Sequence, residues 1–190
     1  MSTATKESDM RELVLQMGVS IDGYVAAVNG AHDWGYDGED PAMREWKLSS
    51  LRGAGAHVMG SRTYADMASV WPKSSSAVAM AMNEIPKVVF SNTLERAEWP
   101  ESQIVAGELA RGVAQLKAQA GGYLLAHGGA EFAQALSRER LVDEYRLVIH
   151  PAALGDGLPL FKGLPSRLAL ELVDAHTYST GAAVHVYRPR

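Results

Sequence analysis

Two short stretches of this chain carry residue types suited to holding phosphate. The first reads Tyr123-Leu124-Leu125-Ala126-His127-Gly128-Gly129-Ala130-Glu131-Phe132, an apolar run broken by a glycine pair and followed by a helical pattern. Glycine lets backbone N–H groups come close to a ligand, and a helix that starts there adds free N–H donors and the positive end of its dipole. A glycine pair also makes a plain tight turn, and taken alone it says no more than that. The second stretch, Met59-Gly60-Ser61-Arg62-Thr63-Tyr64, repeats the order of apolar run, glycine, polar residues and helix. Arg62 suits a phosphate charge, and Thr63 could cap the helix while donating to an oxygen. The plainer alternative is an ordinary cap beside an exposed arginine. Two such junctions in one chain point to a dinucleotide, with its two phosphates, more than either does singly. Neither G-x-G-x-x-G nor G-x-x-x-x-G-K-[ST] occurs, so the common dinucleotide and P-loop fingerprints do not apply.

Other candidates are weaker. A loop from Asn29 to Asp40 is rich in Gly, Asp and Asn and carries Trp34 and Tyr36, the pattern of a segment lying over a site. Its acids Asp33, Asp37 and Asp40 are candidate proton donors, although each reads more simply as a solvated loop carboxylate. Asp22, in the turn after the first strand, and Glu45, in the first helix, are further carboxylates with catalytic potential. The six histidines are scattered without H-E-x-x-H or paired spacing, so no metal site is expected. His127 stands beside the glycine pair, either touching a ligand or buried as a bystander.

The elements that must position these residues follow from periodicity. Leu13, Leu15, Met17, Val19 and Ile21 alternate with Val14, Gln16, Gly18 and Ser20, which predicts a strand closed by an Asp22-Gly23 turn. Asp40-Pro41 starts a helix running to about Arg52. His57–Met59 is a short apolar run, Tyr64–Val70 a short helix, and 74–82 irregular. Lys87–Ser91 is a strand, Gly107–Ala120 an amphipathic helix, Tyr123–Ala126 a buried strand and Ala130–Arg138 a helix. Glu144–His150, Ala169–Asp174 and Val184–Tyr187 are strands with no long helix between them. Strand–helix alternation ending in consecutive strands implies an α/β fold: a mostly parallel sheet with antiparallel C-terminal strands and helices on both faces. With no repeat and no linker, residues 11–190 read as one domain after a flexible 1–10.

The chain has 190 residues, 47% hydrophobic and 21% charged, with a net charge of −4. That balance offers no basic field for nucleic acid. Cysteine is absent, which removes disulfides, thiolate metal sites and cysteine nucleophiles. The opening residues lack an apolar core of the secretory kind, and no apolar run approaches the roughly 20 residues that span a bilayer. The expectation is a cytoplasmic protein without membrane or nucleic-acid partners.

Five stretches in order resemble one family: Ser20-Ile21-Asp22-Gly23-Tyr24, Met59–Tyr64, Lys87-Val88-Val89-Phe90-Ser91-Asn92-Thr93-Leu94, His127-Gly128-Gly129, and Leu141-Val142-Asp143-Glu144 leading to the 151–161 segment. They are similar to the dihydrofolate reductase-like family typified by the C-terminal reductase domain of bacterial riboflavin biosynthesis. The resemblance implies NADPH across the sheet edge, with NADH as an alternative, and hydride transfer to a planar heterocycle of pterin, flavin or ribosylpyrimidine type. It places Gly60, Arg62 and Thr63 at the phosphates, Ser91 and Asn92 at the adenosine end, and Gly128, Gly129, Ala130 and Glu131 at the pyrophosphate, with His127 beside them as a further cofactor-binding candidate. The nicotinamide would lie near Val19 to Tyr24, with Asp22, Trp34 and Tyr36 toward substrate. Family members often carry arginine where this chain has Ser61 and Asn92, the positions that would read a 2′-phosphate. The resemblance further implies a homodimer, a Gly128–Gly129 peptide that is cis or otherwise strained, and poor turnover of dihydrofolate. A nucleotide-binding protein without turnover on the same fold is the competing expectation.

Overall fold

A computed structural model describes residues 10–35 and 40–190. In chain order the elements are β1 (Leu13–Ser20), β2 (Tyr24–Ala26), α1 (Pro41–Gly53), β3 (Ala54–Gly60), α2 (Ser61–Val70), α3 (Ala77–Glu84), β4 (Lys87–Phe90), β5 (Ser102–Val105), α4 (Leu109–Lys117), β6 (Tyr123–Ala126), α5 (Ala130–Arg138), β7 (Glu144–His150), β8 (Leu158–Pro159), β9 (Leu170–Thr177) and β10 (Ala183–Pro189). Eight strands form one sheet in the order β5-β4-β3-β6-β1-β7-β10-β9. All neighbours are parallel except β7–β10 and β10–β9, so the expected mixed sheet is present.

Alternation along β1 sends its side chains to two cores. Leu13, Leu15, Met17 and Val19 join Leu124, Ala133 and Leu136 on the face covered by α4 and α5. Val14 joins Leu51, Met59, Tyr64, Met82 and Leu125 on the face covered by α1, α2 and α3. A strand buried on both faces needs apolar residues at every position, which is why Tyr123-Leu-Leu-Ala reads as a continuous apolar run. Residues of this size contribute about 1.5–3 kcal/mol each when fully buried.

Helix ends follow local chemistry. Asp40 caps α1 by accepting from the N–H groups of Ala42 and Met43, with Pro41 in the first turn. The stretch 74–82, expected to be irregular, instead contains α3. Ser76 Oγ accepts from Ala79 N at 3.2 Å, and the alanines behind this cap favour helix enough to bury Ala79 and Met82. Strand β5 escapes a pattern reading because Ser-Gln-Ile-Val is short and sits at a sheet edge. The tiny β2–β8 pair escapes for the same reason, being two and three residues long. The Asp143 of Leu-Val-Asp-Glu is structural: its Oδ2 accepts from Leu13 N at 2.6 Å and pairs with Lys117 Nζ at 2.5 Å.

Candidate functional site

The sheet order places β3 beside β6, yet the chain leaves these strands toward opposite faces. After β3 it enters α2, whose Tyr64 packs with Met59 and Leu125; after β6 it enters α5, whose Ala133 and Leu136 pack with Leu15 and Leu124. Divergence of two neighbouring strand-to-helix connections opens a crevice at their C-terminal ends, where α/β sheets bind ligands. Both phosphate-type stretches of the sequence meet there.

Their junction is built from glycine and bare helix ends. Gly128 and Gly129 take φ of 81° and 67°, and the chain is trans throughout the described residues, so of the expected cis or otherwise strained peptide the cis form is absent. The bend comes instead from two successive positive-φ residues, a combination that side chains disfavour strongly. A Cβ at Gly128 would lie 2.0 Å from Met17 Sδ, and one at Gly129 would lie 2.7 Å from Thr63 Oγ1. Thr63 does not cap α2, as its type suggested; its hydroxyl donates to Gly128 O at 2.8 Å and ties the two junctions together. The N-caps of α2 and α5 are Gly60 and Gly129, and neither helix start carries a side-chain cap. By contrast, α1 and α3 are capped by Asp40 and Ser76. Two helix N-termini without side-chain caps are therefore held together through Thr63, each offering the N–H groups and positive dipole end of its first turn. Ala130 and Glu131 supply the first turn of α5; Glu131 is exposed, so only its backbone suits an anion. Arg62 is exposed on the first turn of α2 and has no ion-pair or hydrogen-bond partner among the described residues. This arrangement fits a pyrophosphate: a cradle that a Cβ would fill, donors without acceptors, and one spare cation.

At the far side of β3, Ser91 Oγ accepts from Thr93 N at 3.2 Å and Leu94 N at 3.0 Å, and Asn92 Oδ1 accepts from Gly107 N at 2.7 Å. Both side chains thus shape the loop after β4, and the Ser91 hydroxyl and Asn92 amide keep donor hydrogens to offer a ligand. Val19 lies in the opposite core at 4% exposure, so it can contribute only through its backbone.

Several carboxylates are committed elsewhere. Asp22 accepts from Ser20 Oγ at 2.5 Å, from Leu154 N and from Gly155 N at 2.8 Å, anchoring the loop after β7. Those bonds, the Ser20 hydroxyl foremost, hold its carboxyl below the ordinary range, which suits an anchor and not a proton donor. Asp40 is driven to about 2 by the Ser179 hydroxyl and the N–H groups of Met43, Ser179 and Ala42, so it too is a fixed anion, joining α1 to the β9–β10 turn. Glu45 points to solvent and pairs with Arg52 at 3.0 Å, both side chains about two-thirds exposed, so it does not enter the crevice. Asp33 is exposed in a single 3-10 turn at Asp33–Gly35. Asp37 and Tyr36 lie outside the described residues.

Trp34 lies in that 3-10 turn with its ring edge-on to His150, centroids 5.9 Å apart. A second aromatic contact was not legible from sequence. His57 of β3 and His127 stack at 4.8 Å, tilted 43°. Both ring nitrogens of His57 and Nε2 of His127 are buried without a hydrogen-bond partner among the described residues. Desolvation lowers His127 to about 4 and, with repulsion from His127 and Lys87, lowers His57 to about 2, so both rings are neutral at neutral pH. Only strand register brings residues 57 and 127 to one face. Among the described residues no group of three metal-ligating side chains exists, and no helix is long and apolar enough to cross a membrane.

Comparison with known proteins agrees with this geometry. The uncharacterized protein YyaP of Bacillus subtilis is 27% identical over 188 residues, covering 96% of this chain and 97% of that protein. The structure of a Shewanella sp. PV-4 protein assigned to riboflavin biosynthesis superposes with a TM-score of 0.78 at 24% identity, covering 94% of this chain and 99% of the other. Dihydrofolate reductase from Enterococcus faecalis, in complex with NADP(H) and an inhibitor, superposes with a TM-score of 0.59 at 12% identity, covering 94% and 96%. These likenesses establish a dihydrofolate reductase-like fold. The RibD C-terminal domain family matches residues 11–184, nearly the whole sheet, and the chain belongs to that family.

Proposed function

We propose that this protein is a reductase of the riboflavin-pathway type that binds NADPH in the crevice between β3 and β6 and passes its hydride to a planar heterocycle. The observation that carries this reading is the pair of helix N-termini without side-chain caps, at Gly60 and Gly129, bridged by Thr63 and flanked by Arg62, which is unpaired among the described residues. The family match and the NADP(H) in the related Enterococcus structure support it. When bound, the dinucleotide supplies the hydride; the chain supplies orientation, exclusion of water and a proton. Arg62 adds a cation at the pyrophosphate, a contact that NADPH and NADH share.

Fluorescence titration with NADPH and NADH, followed by loss of dihydronicotinamide absorbance on adding flavins, pterins and ribosylated pyrimidines, tests the proposal. Saturable binding with oxidation by at least one acceptor is the expected result. Dihydrofolate should be among the poor acceptors, because Glu45 faces solvent and Asp40 is consumed by its cap. Binding with no acceptor would leave a nucleotide-binding protein, and no binding would refute the reading.

A further inference from the structure

Hydride delivery to a C=N or C=O unit needs a proton at the heteroatom, and among the described residues three of the candidate carboxylates are committed elsewhere. Asp22 and Asp40 are held as anions by their hydrogen bonds, and Glu45 lies on the solvent face of α1. His57 is buried, His127 half-buried, and both are neutral.

One further imidazole stands at the same C-terminal edge of the parallel strands, on β7, with β1 between it and β6. His150 ends β7, its Cα in register with Ser20 at the end of β1, and Val148 two residues earlier is in register with Gly18. Its ring leans back over Gly18: a Cβ there would sit 3.3 Å from His150 Nε2. A Cβ at Gly35, in the 3-10 turn, would sit 3.3 Å from the same nitrogen. The ring is therefore seated between two glycine backbones, with Trp34 at its edge. Neither glycine needs positive φ, since neither is among the positive-φ residues, so their bareness at these positions serves the ring. The backbone of His150 is fixed as well: its carbonyl accepts from Ala152 N at 2.8 Å, and Ala152 O accepts from Ile21 N at 2.9 Å. Titratable or charged side chains on the adjoining elements are His32 and Asp33 beside Trp34, Asp22 in the turn after β1, and Asp40 and Arg44 at the start of α1.

We propose that His150 is the proton donor of the reduction. This rests on the reductase reading above. As the hydride reaches the electrophilic carbon, the π pair of the C=N or C=O moves to the heteroatom. The heteroatom takes a proton from protonated His150 Nε2, and the neutral imidazole is recharged from solvent. One hydride and one proton are consumed, and the substrate gains two hydrogens.

The test needs no known substrate, because oxidised nicotinamide carries a positive charge that the reduced ring lacks. His150 is titrated by NMR of histidine ring carbons in the NADPH and NADP+ complexes. Its signal is assigned by loss in His150→Gln or, should that variant not fold, by contact with Trp34 ring protons. A ring close enough to pass its proton to the substrate beside the nicotinamide should titrate about one to two pH units lower in the NADP+ complex. The exposed His176 of β9 should differ by less than about 0.2. Two bound complexes with the same His150 titration would overturn the assignment and leave the cofactor site standing. No binding of either dinucleotide would remove the reductase reading and the His150 role together. With an acceptor from the screen, His150→Gln should lose about 100-fold or more in hydride transfer while holding NADPH affinity within about twofold. Unchanged transfer would also refute the role.

Discussion

Replacing Gly129 with alanine tests the junction on which the site depends. At φ of 67° and ψ of 136° the backbone lies where side chains are rarely tolerated, at a cost of about 1–3 kcal/mol. The added Cβ would also sit 2.7 Å from Thr63 Oγ1 and displace its hydrogen bond to Gly128 O, a further loss of about 0.5–1.5 kcal/mol. Together these predict a destabilisation of roughly 2–4 kcal/mol. For a chain of this size that lowers Tm by about 5–15 °C. Urea denaturation of four proteins separates the contributions: wild type, Gly129→Ala, Thr63→Ala and the double variant. Thr63→Ala alone removes only the hydrogen bond and should cost about 1 kcal/mol. Because the double variant has no hydroxyl to strike, it should be more stable than the sum of the singles by roughly 0.5–1.5 kcal/mol. Gly129→Ala within about 0.5 kcal/mol of wild type, or strict additivity in the cycle, would refute the geometry described here.

Three other outcomes follow from particular contacts. Arg62→Ala should weaken NADPH binding by about 1.5–3 kcal/mol in a fluorescence titration while leaving Tm unchanged, since the side chain is exposed and partners nothing described. Stability should fall as pH drops below about 6.5, because the unfolded histidines protonate there, whereas folded His127 and His57 resist until about 4 and about 2. The unfolded state binds the extra protons in that window, so each such histidine adds a slope of about 1.4 kcal/mol per pH unit, which His57→Leu should halve in urea titrations at pH 5 to 6. Asp40, held near 2, adds its own loss of stability only below about 4, as pH falls toward its folded value. Finally, β9 leaves one edge unpaired with Leu172 and Val173 about half exposed, so a homodimer is expected by sedimentation, and Val173→Lys should shift it to monomer.

Much of this protein is legible in local sequence. The periodicities of β1, β6 and α5, the Asp40-Pro41 start of α1 and the glycines of both phosphate-type stretches are set by chain-local sterics and burial, which a linear pattern records. The helix α3 is not legible that way because its serine- and alanine-rich stretch has weak periodicity; nor are strands β2, β5 and β8, each short and stabilised by contacts from distant segments. For β8 these include Gln134 Nε2 donating to Pro159 O at 2.6 Å. The roles of the carboxylates depend on partners more than a hundred residues away: Asp22 on Leu154 and Gly155, Asp40 on Ser179. No spacing rule reaches that far. The same holds for the histidines. Residues 57 and 127 meet because β3 and β6 pair in parallel, and His150 finds Gly18 because β7 pairs with β1. Sequence alone determined which segments could hold phosphate, since backbone freedom and helix starts are local properties. Tertiary structure alone decided which side chains remain free for chemistry, since each must be matched against every partner that the sheet order brings within reach.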